Sequence, residues 1–204
     1  LPSRAMGDWG VRPVPTDLAR RYRDEGWWND DTVGRVLAEG LARQPDQRLL
    51  FFSDDRPYRG TFADGLAMAQ RVAGALAARG VRPGDPVAFQ LPNWVEAGIT
   101  FWAAAYLGAT VVPIVHFYGA KEVGYIVGAT EPDLVVTADR FGRTDHLAVW
   151  EDVLARQPVP LWLVVGDTPA DRLPAAAAPF APLLDADPVA GPAPVDPDAP
   201  AIVG

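Results

Sequence analysis

Two histidines, His116 and His146, two serines, Ser3 and Ser53, one lysine, Lys121, and no cysteine limit the polar catalysis this chain can build from nucleophiles and bases. Neither serine stands in a nucleophile elbow, so an acyl-transfer triad cannot be assembled, and thiol chemistry and zinc-thiolate sites are excluded outright. Of these side chains His116 has the most suggestive place. It follows the apolar run Thr110-Val-Val-Pro-Ile114 and begins the cluster His116-Phe117-Tyr118. If that run is a parallel strand, the cluster sits at its C-terminal end, the edge where open α/β sheets bind ligands. His116, Phe117 and Tyr118 are the candidate substrate-lining residues, but aromatic clusters are more often core than site, so packing against a further subdomain is the first reading of them. Lys121, beside Glu122 on a helical turn, reads as solvated, and Asn93 reads as a helix cap rather than a ligand. The carboxylates fall in turns and at helix ends, where capping and solvation suit them better than paired acid–base work. No catalytic residue and no metal site is expected in this stretch.

The elements that must position these residues can be read from periodicity. Val87–Leu91, Thr110–Ile114, Asp133–Thr137 and Leu161–Val165 are short β-branched runs separated by helical patterns, which predicts consecutive βαβ units. The expected fold is α/β: an open, mostly parallel, doubly wound sheet with at least these four strands and helices on both faces. Residues 1–60 divide into two short helices, near 16–25 and 32–43, and a hairpin over 48–60. The stripe Val33, Val36, Leu37, Gly40 and Leu41 is expected to lie on the sheet. Thr61 and Asp64 have capping-box spacing ahead of a helix ending at Gly80, which opens the parallel core at 61–166. Asn93 and Glu96 predict the cap of the next helix and Gly108 its end. That helix, Trp94 to Leu107, is apolar on nearly every face and is expected to be covered on two sides, in part by protein beyond this stretch. Trp94, Trp102 and Tyr106 are expected core residues. The run is shorter than the roughly twenty residues of a bilayer span and carries Glu96, so no transmembrane segment is expected. Residues 167–204, rich in Pro, Ala and Asp, read as a surface connector leading to a further subdomain. Phe180, Leu183 and Leu184 are its apolar anchor, and Ala201-Ile-Val203 the start of a strand.

With 49% hydrophobic residues the chain can bury a core, and a formal charge of −8 without basic clusters speaks against nucleic acid as a partner. Leu1 to Met6 hold no hydrophobic segment of a secretory signal, and zero cysteines suit a cytoplasmic location. No G-x-G-x-x-G follows a strand and no G-x-x-x-x-G-K-[ST] occurs, so standard dinucleotide and triphosphate cradles are absent.

Five segments carry a resemblance beyond these counts. Thr61-Phe-Ala-Asp-Gly-Leu66, Gly80-Val-Arg-Pro-Gly-Asp-Pro-Val-Ala88, Leu91-Pro-Asn-Trp-Val-Glu96, Tyr106-Leu-Gly-Ala-Thr-Val-Val-Pro113 and Glu122-Val-Gly-Tyr-Ile126 occur in one register. In order and spacing they resemble the start of the adenylate-forming (AMP-dependent) acyl-CoA synthetase superfamily. Tyr22-Arg-Asp-Glu-Gly-Trp-Trp28 and Pro113-Ile-Val-His-Phe-Tyr-Gly119 resemble acyl- or cyclic-acid-CoA ligases, and aryl-acid AMP ligases share the Gly-Trp-Trp feature. The resemblance implies ATP, Mg²⁺ and CoA as the reactants and cofactor of an intact enzyme acting on a small carboxylic acid, with room for a homo-oligomer. In that family a Ser/Thr/Gly-rich phosphate loop follows a lead-in matched here by Asp198-Ala-Pro-Ala-Ile202, and the ribose-binding carboxylate and lid lysine come later still. The 204-residue stretch alone is therefore expected to be inactive. A non-catalytic α/β binding module on the same scaffold is the reading from another class.

Overall fold

A computed structural model describes residues 14–204, which leaves Ser3 and the expectation for Leu1–Met6 outside the described residues. Helix α1 (Thr16–Asp24) closes on the turn at Gly26, where Trp27 and Trp28 fold back on Tyr22 with ring centroids 5.3 and 5.4 Å away. Thr32 caps α2 (Val33–Arg43) through the Arg35 amide. The hairpin β1 (Arg48–Phe51) and β2 (Tyr58–Thr61) pairs antiparallel, Arg48 opposite Thr61 and Phe51 opposite Tyr58. Helix α3 (Phe62–Ala78) opens with the expected capping box, Thr61 N–H donating to Asp64 at 2.8 Å and Asp64 N–H to the Thr61 hydroxyl at 3.2 Å.

The core then alternates β3 (Pro86–Gln90), α4 (Val95–Leu107), β4 (Thr110–Pro113), α5 (Ala120–Thr130) and β5 (Leu134–Ala138). A two-residue hairpin follows, β6 (Arg140–Phe141) with β7 (Thr144–Asp145), then α6 (His146–Leu154), β8 (Leu161–Val165) and β9 (Ala177–Pro179). The main sheet runs β4-β3-β5-β8-β9, parallel throughout. All four strands expected from the sequence are present. The fifth, β9, lies in the segment read as a connector; its alanines carry no β-branched signal, and pairing to β8 makes the strand. Phe180 and Leu183 behind it are buried, so this segment adds to the core instead of only crossing the surface. Ile202 forms a bridge with Val111 on the other edge of the sheet.

Side chains alternate between two cores because the strand period is two. Val87, Leu134, Val136 and Leu163 meet α3 and α4 on one face. Ala88, Val112, Val135 and Val164 meet α5 and α6 on the other. Each fully buried leucine or valine, such as Val72 and Leu76 of α3, contributes about 1.5–3 kcal/mol.

Two expectations need correction. The α2 stripe does not lie on the sheet. That face is already filled by α3 and α4, so α2 forms an outer layer on those helices, and Val36 and Gly40 face solvent. Gly34 permits the approach: a Cβ there would sit 2.4 Å from the Ala105 carbonyl oxygen. The apolar helix α4 is covered by this chain itself. Helices α2 and α3 pack on it, Ala193 N–H donates to the Tyr106 carbonyl, and Val195 packs over Gly108. Trp102 is half-buried against Gly65, not part of an exposed patch. Periodicity reports that a face is covered, but not by which residues.

Candidate functional site at the switch point of the sheet

Strands β3 and β5 are neighbours, yet β3 runs into α4 on one face and β5 leads to α6 on the other. Where connections diverge to opposite faces the sheet opens a crevice at its C-terminal edge. The residues placed there come from the ends of four parallel strands: Trp94 after β3, His116 after β4, Phe141 after β5 and Asp167 after β8.

The rings form a continuous edge-to-face series. Trp94 and Phe141 are 5.9 Å apart at 83°, His116 stands 5.3 Å from Phe141 at 90° and 5.3 Å from Phe117 at 84°, and Phe117 lies 5.6 Å from Tyr118 at 87°. Each contact sets a ring edge near a neighbour's face, the arrangement the aromatic quadrupole favours. The three residues singled out in the sequence are thus together, in different environments. Phe117 is 69% exposed, His116 is half-buried between two rings, and Tyr118 packs back onto the α5–α6 core. Trp94 is buried as expected, and it also belongs to this series.

Asn93 is not the cap of α4. Trp94 occupies that position with extended backbone and no side-chain bond, because Pro92 and the 2.7 Å bond from Trp94 N–H to the Pro92 carbonyl turn the chain one residue later. Glu96 does not reach back to the helix end either. It accepts from Arg56 at the hairpin tip at 2.8 Å, while the Arg56 guanidinium lies over the Trp94 ring at 5.4 Å and also reaches Asp167 at 3.1 Å. Burial disfavours the charge on Arg56, but the Glu96 bond and the two carboxylates outweigh it and hold its pKa above the ordinary value.

Two loops form the rims. The 115–118 turn after β4 is held by Gln90, described below. The 166–168 loop after β8 is held by Asp139, whose Oδ2 accepts from the amides of Asp167 (3.0 Å) and Thr168 (2.9 Å) and from the Thr168 hydroxyl (2.8 Å), while Oδ1 accepts from Arg140 N–H at 2.6 Å. Burial alone would raise the Asp139 pKa; the bonds from Thr168, Arg140 and Asp167 overcome it and leave it below the usual carboxylate range. Gly166 is required there, since a Cβ would stand 2.0 Å from the Asp139 carboxyl carbon.

His146 begins α6 and is fully buried. Its burial, with His116 second, pushes its pKa down against the opposing pull of Asp145 and Asp139 and favours the neutral ring. Among the described residues neither His146 nitrogen has a hydrogen-bond partner, nor do Trp94 Nε1 and Glu96 Oε2. Buried unpaired polar atoms are rare, and all three of these side chains belong to the C-terminal edge.

Among the described residues no group of three His, Asp or Glu side chains could hold a metal ion, and Arg56 is already engaged by two carboxylates. What the edge offers is one exposed ring, Phe117, beside the half-buried rings of His116 and Phe141. Sequence reasoning missed Phe141, Arg56, Asp139 and Gln90. Phe141 and Asp139 follow β5 as closely as His116 follows β4, and that position was the available signal.

An open α/β sheet with loops converging at its switch point has the architecture of a ligand-binding domain. The family is fixed by comparison. The sequence model of the AMP-binding enzyme family matches residues 37–203. The chain belongs to this family of adenylate-forming enzymes. It is 31% identical over 170 residues to a salicyl-AMP ligase / salicyl-S-ArCP synthetase of Mycobacterium tuberculosis, covering 82% of this chain and 30% of that protein. It is also 31% identical over 149 residues to a 2-hydroxy-7-methoxy-5-methyl-1-naphthoate–CoA ligase of Streptomyces carzinostaticus, covering 73% of this chain and 26% of that protein. The Mycobacterium smegmatis MbtA apo structure superposes with a TM-score of 0.79 at 29% identity, over 95% of this chain and 34% of that one. The chain thus spans about a third or less of the length of these relatives. No helix among the described residues is long and apolar enough to cross a membrane.

Proposed function

We propose that the full-length gene product carrying this chain is an ATP-dependent acid ligase. A carboxylate oxygen attacks the α-phosphorus of ATP and pyrophosphate leaves; a thiol then attacks the acyl carbon and AMP leaves. Within this chain, His116 and Phe117 line the approach of the acid and Tyr118 anchors their loop. The acid is aryl or cyclic, and the thiol is that of CoA. The observation that carries the reading is the exposed Phe117 ring, held edge-to-face by His116 and Tyr118 at the C-terminal edge of the sheet. The naphthoate–CoA ligase and the salicyl-AMP ligase among the relatives support the same class of acid.

The test is ATP–pyrophosphate exchange by the full-length product with salicylate, a hydroxynaphthoate, cyclohexanecarboxylate and octanoate, followed by thioester formation with CoA. Exchange with the ring acids, weak exchange with octanoate and transfer to CoA are expected. The 204-residue stretch alone is expected to give no exchange, since it spans about a third or less of the ligases it resembles. Equal exchange with octanoate would overturn the acid class, and no exchange with any acid would favour the non-catalytic module.

A further inference from the structure

Gln90 is the last residue of β3, and it is fully buried at the sheet's C-terminal edge. Its Nε2 donates to the Val115 carbonyl at 3.1 Å and to the Tyr118 carbonyl at 2.9 Å. Its Oε1 accepts from the Trp150 indole N–H at 2.7 Å. The indole nitrogen can only donate, so it fixes the orientation of the amide and commits both Nε2 hydrogens to the two carbonyls. Those carbonyls bracket His116 and Phe117. Only one backbone bond closes the turn from within, Tyr118 N–H to the Val115 carbonyl at 3.1 Å, and Val115 and Phe117 are exposed. Among the described residues no other side chain ties both ends of the turn to a rigid element. Trp150, for its part, stands in the α6 core, so the amide links helix, sheet and turn.

We propose that Gln90 is a positioning residue for acid selection: it holds the 115–118 turn so that His116 and Phe117 present a fixed ring surface to the substrate. The inference rests on the proposed role of that turn. Gln90 touches no substrate; it acts through the turn. Removing its amide leaves the Tyr118 carbonyl without this donor and the Val115 carbonyl with only the Tyr118 N–H, whereas removing the Trp150 donor leaves both carbonyls their amide partner.

The experiment uses the full-length gene product with Gln90→Leu, Gln90→Glu, Trp150→Phe and Phe117→Ala. Amide hydrogen exchange over 114–119 reads the turn, and steady-state kinetics read the acid. In Gln90→Leu the Tyr118 amide should exchange about tenfold faster, as one lost buried bond would allow. The KM for the ring acid should rise about tenfold in the same variant, with the KM for ATP unchanged. In Gln90→Glu a buried carboxyl facing two carbonyls stays protonated and can donate to one of them, so the effects should be intermediate. This variant carries the test if Gln90→Leu does not fold. Trp150→Phe leaves the amide able to donate to both carbonyls and should move both readouts less than Gln90→Leu does. Unchanged exchange in the Gln90 variants overturns the inference, and so does a loosened turn with unchanged acid KM. If in that second case Phe117→Ala also leaves the acid KM unchanged, the fault lies in the reading of the site; if Phe117→Ala raises it, the fault lies with Gln90.

Discussion

The two rims of the crevice are built from opposite chemistry. The rim after β4 is aromatic and is held by a neutral amide, Gln90, through two carbonyls. The rim after β8 is polar and is held by a carboxylate, Asp139, through two amides and a hydroxyl. Both clamps stand at the end of a central parallel strand and reach to the next strand's loop, so the sheet supplies the rigidity in each case. The difference lies in what can disturb them. A neutral clamp is indifferent to pH and sensitive to loss of donors; a charged one responds to protonation and tolerates nothing pressed against it.

Gly166→Val should have the largest effect. Its Cβ would collide with the Asp139 carboxyl carbon at 2.0 Å, and the polar rim would have to rebuild. A loss of about 3 kcal/mol in unfolding free energy is expected by denaturant titration, as for severe overpacking. A change within a few tenths of a kcal/mol would mean that the carboxylate moves freely and clamps nothing.

Asp139→Asn should come next, at about 2 kcal/mol, because an amide cannot accept on both arms and its NH₂ would face backbone donors. This cost carries a pH signature. The Asp139 pKa is lower folded than unfolded, so its contribution is fully present above the unfolded value of about 3.9 and is lost as pH falls through the folded value. The gap between wild type and Asp139→Asn should be constant from about pH 5 to 8 and narrow below about pH 4. The aromatic rim has no such dependence in its clamp, so a Gln90→Leu gap should stay flat over the same range.

Much of this fold was legible because its signals are local. Four β-branched strands, the Thr61–Asp64 capping box and the left-handed Gly108 at the end of α4 each depend on a few neighbouring residues. The elements that were misplaced depend on partners far along the chain. Ala177–Pro179 becomes a strand only by pairing with β8, and Asn93 loses the cap of α4 because Pro92 tightens the turn before it. In the site, position after a strand end pointed to His116 and its neighbours. The same rule applied to β5 would have pointed to Asp139 and Phe141, but an isolated acid in a turn reads as solvated and the Arg140–Phe141 hairpin is too short to leave a pattern. Gln90 was invisible for a related reason. Its three partners lie 25, 28 and 60 residues away.

The smallest change tests the account most directly. Phe117 is 69% exposed, so Phe117→Ala should cost almost nothing in stability, yet it removes the most accessible ring of the aromatic rim. The measurement is the ratio of kcat/KM for salicylate to kcat/KM for octanoate in ATP–pyrophosphate exchange, wild type against Phe117→Ala, in the full-length gene product. The ratio should fall about tenfold, close to 1.4 kcal/mol of lost ring contact, with kcat/KM for ATP unchanged. An unchanged ratio, or an equal fall for both acids and for ATP, would contradict the assignment of this rim to the acid.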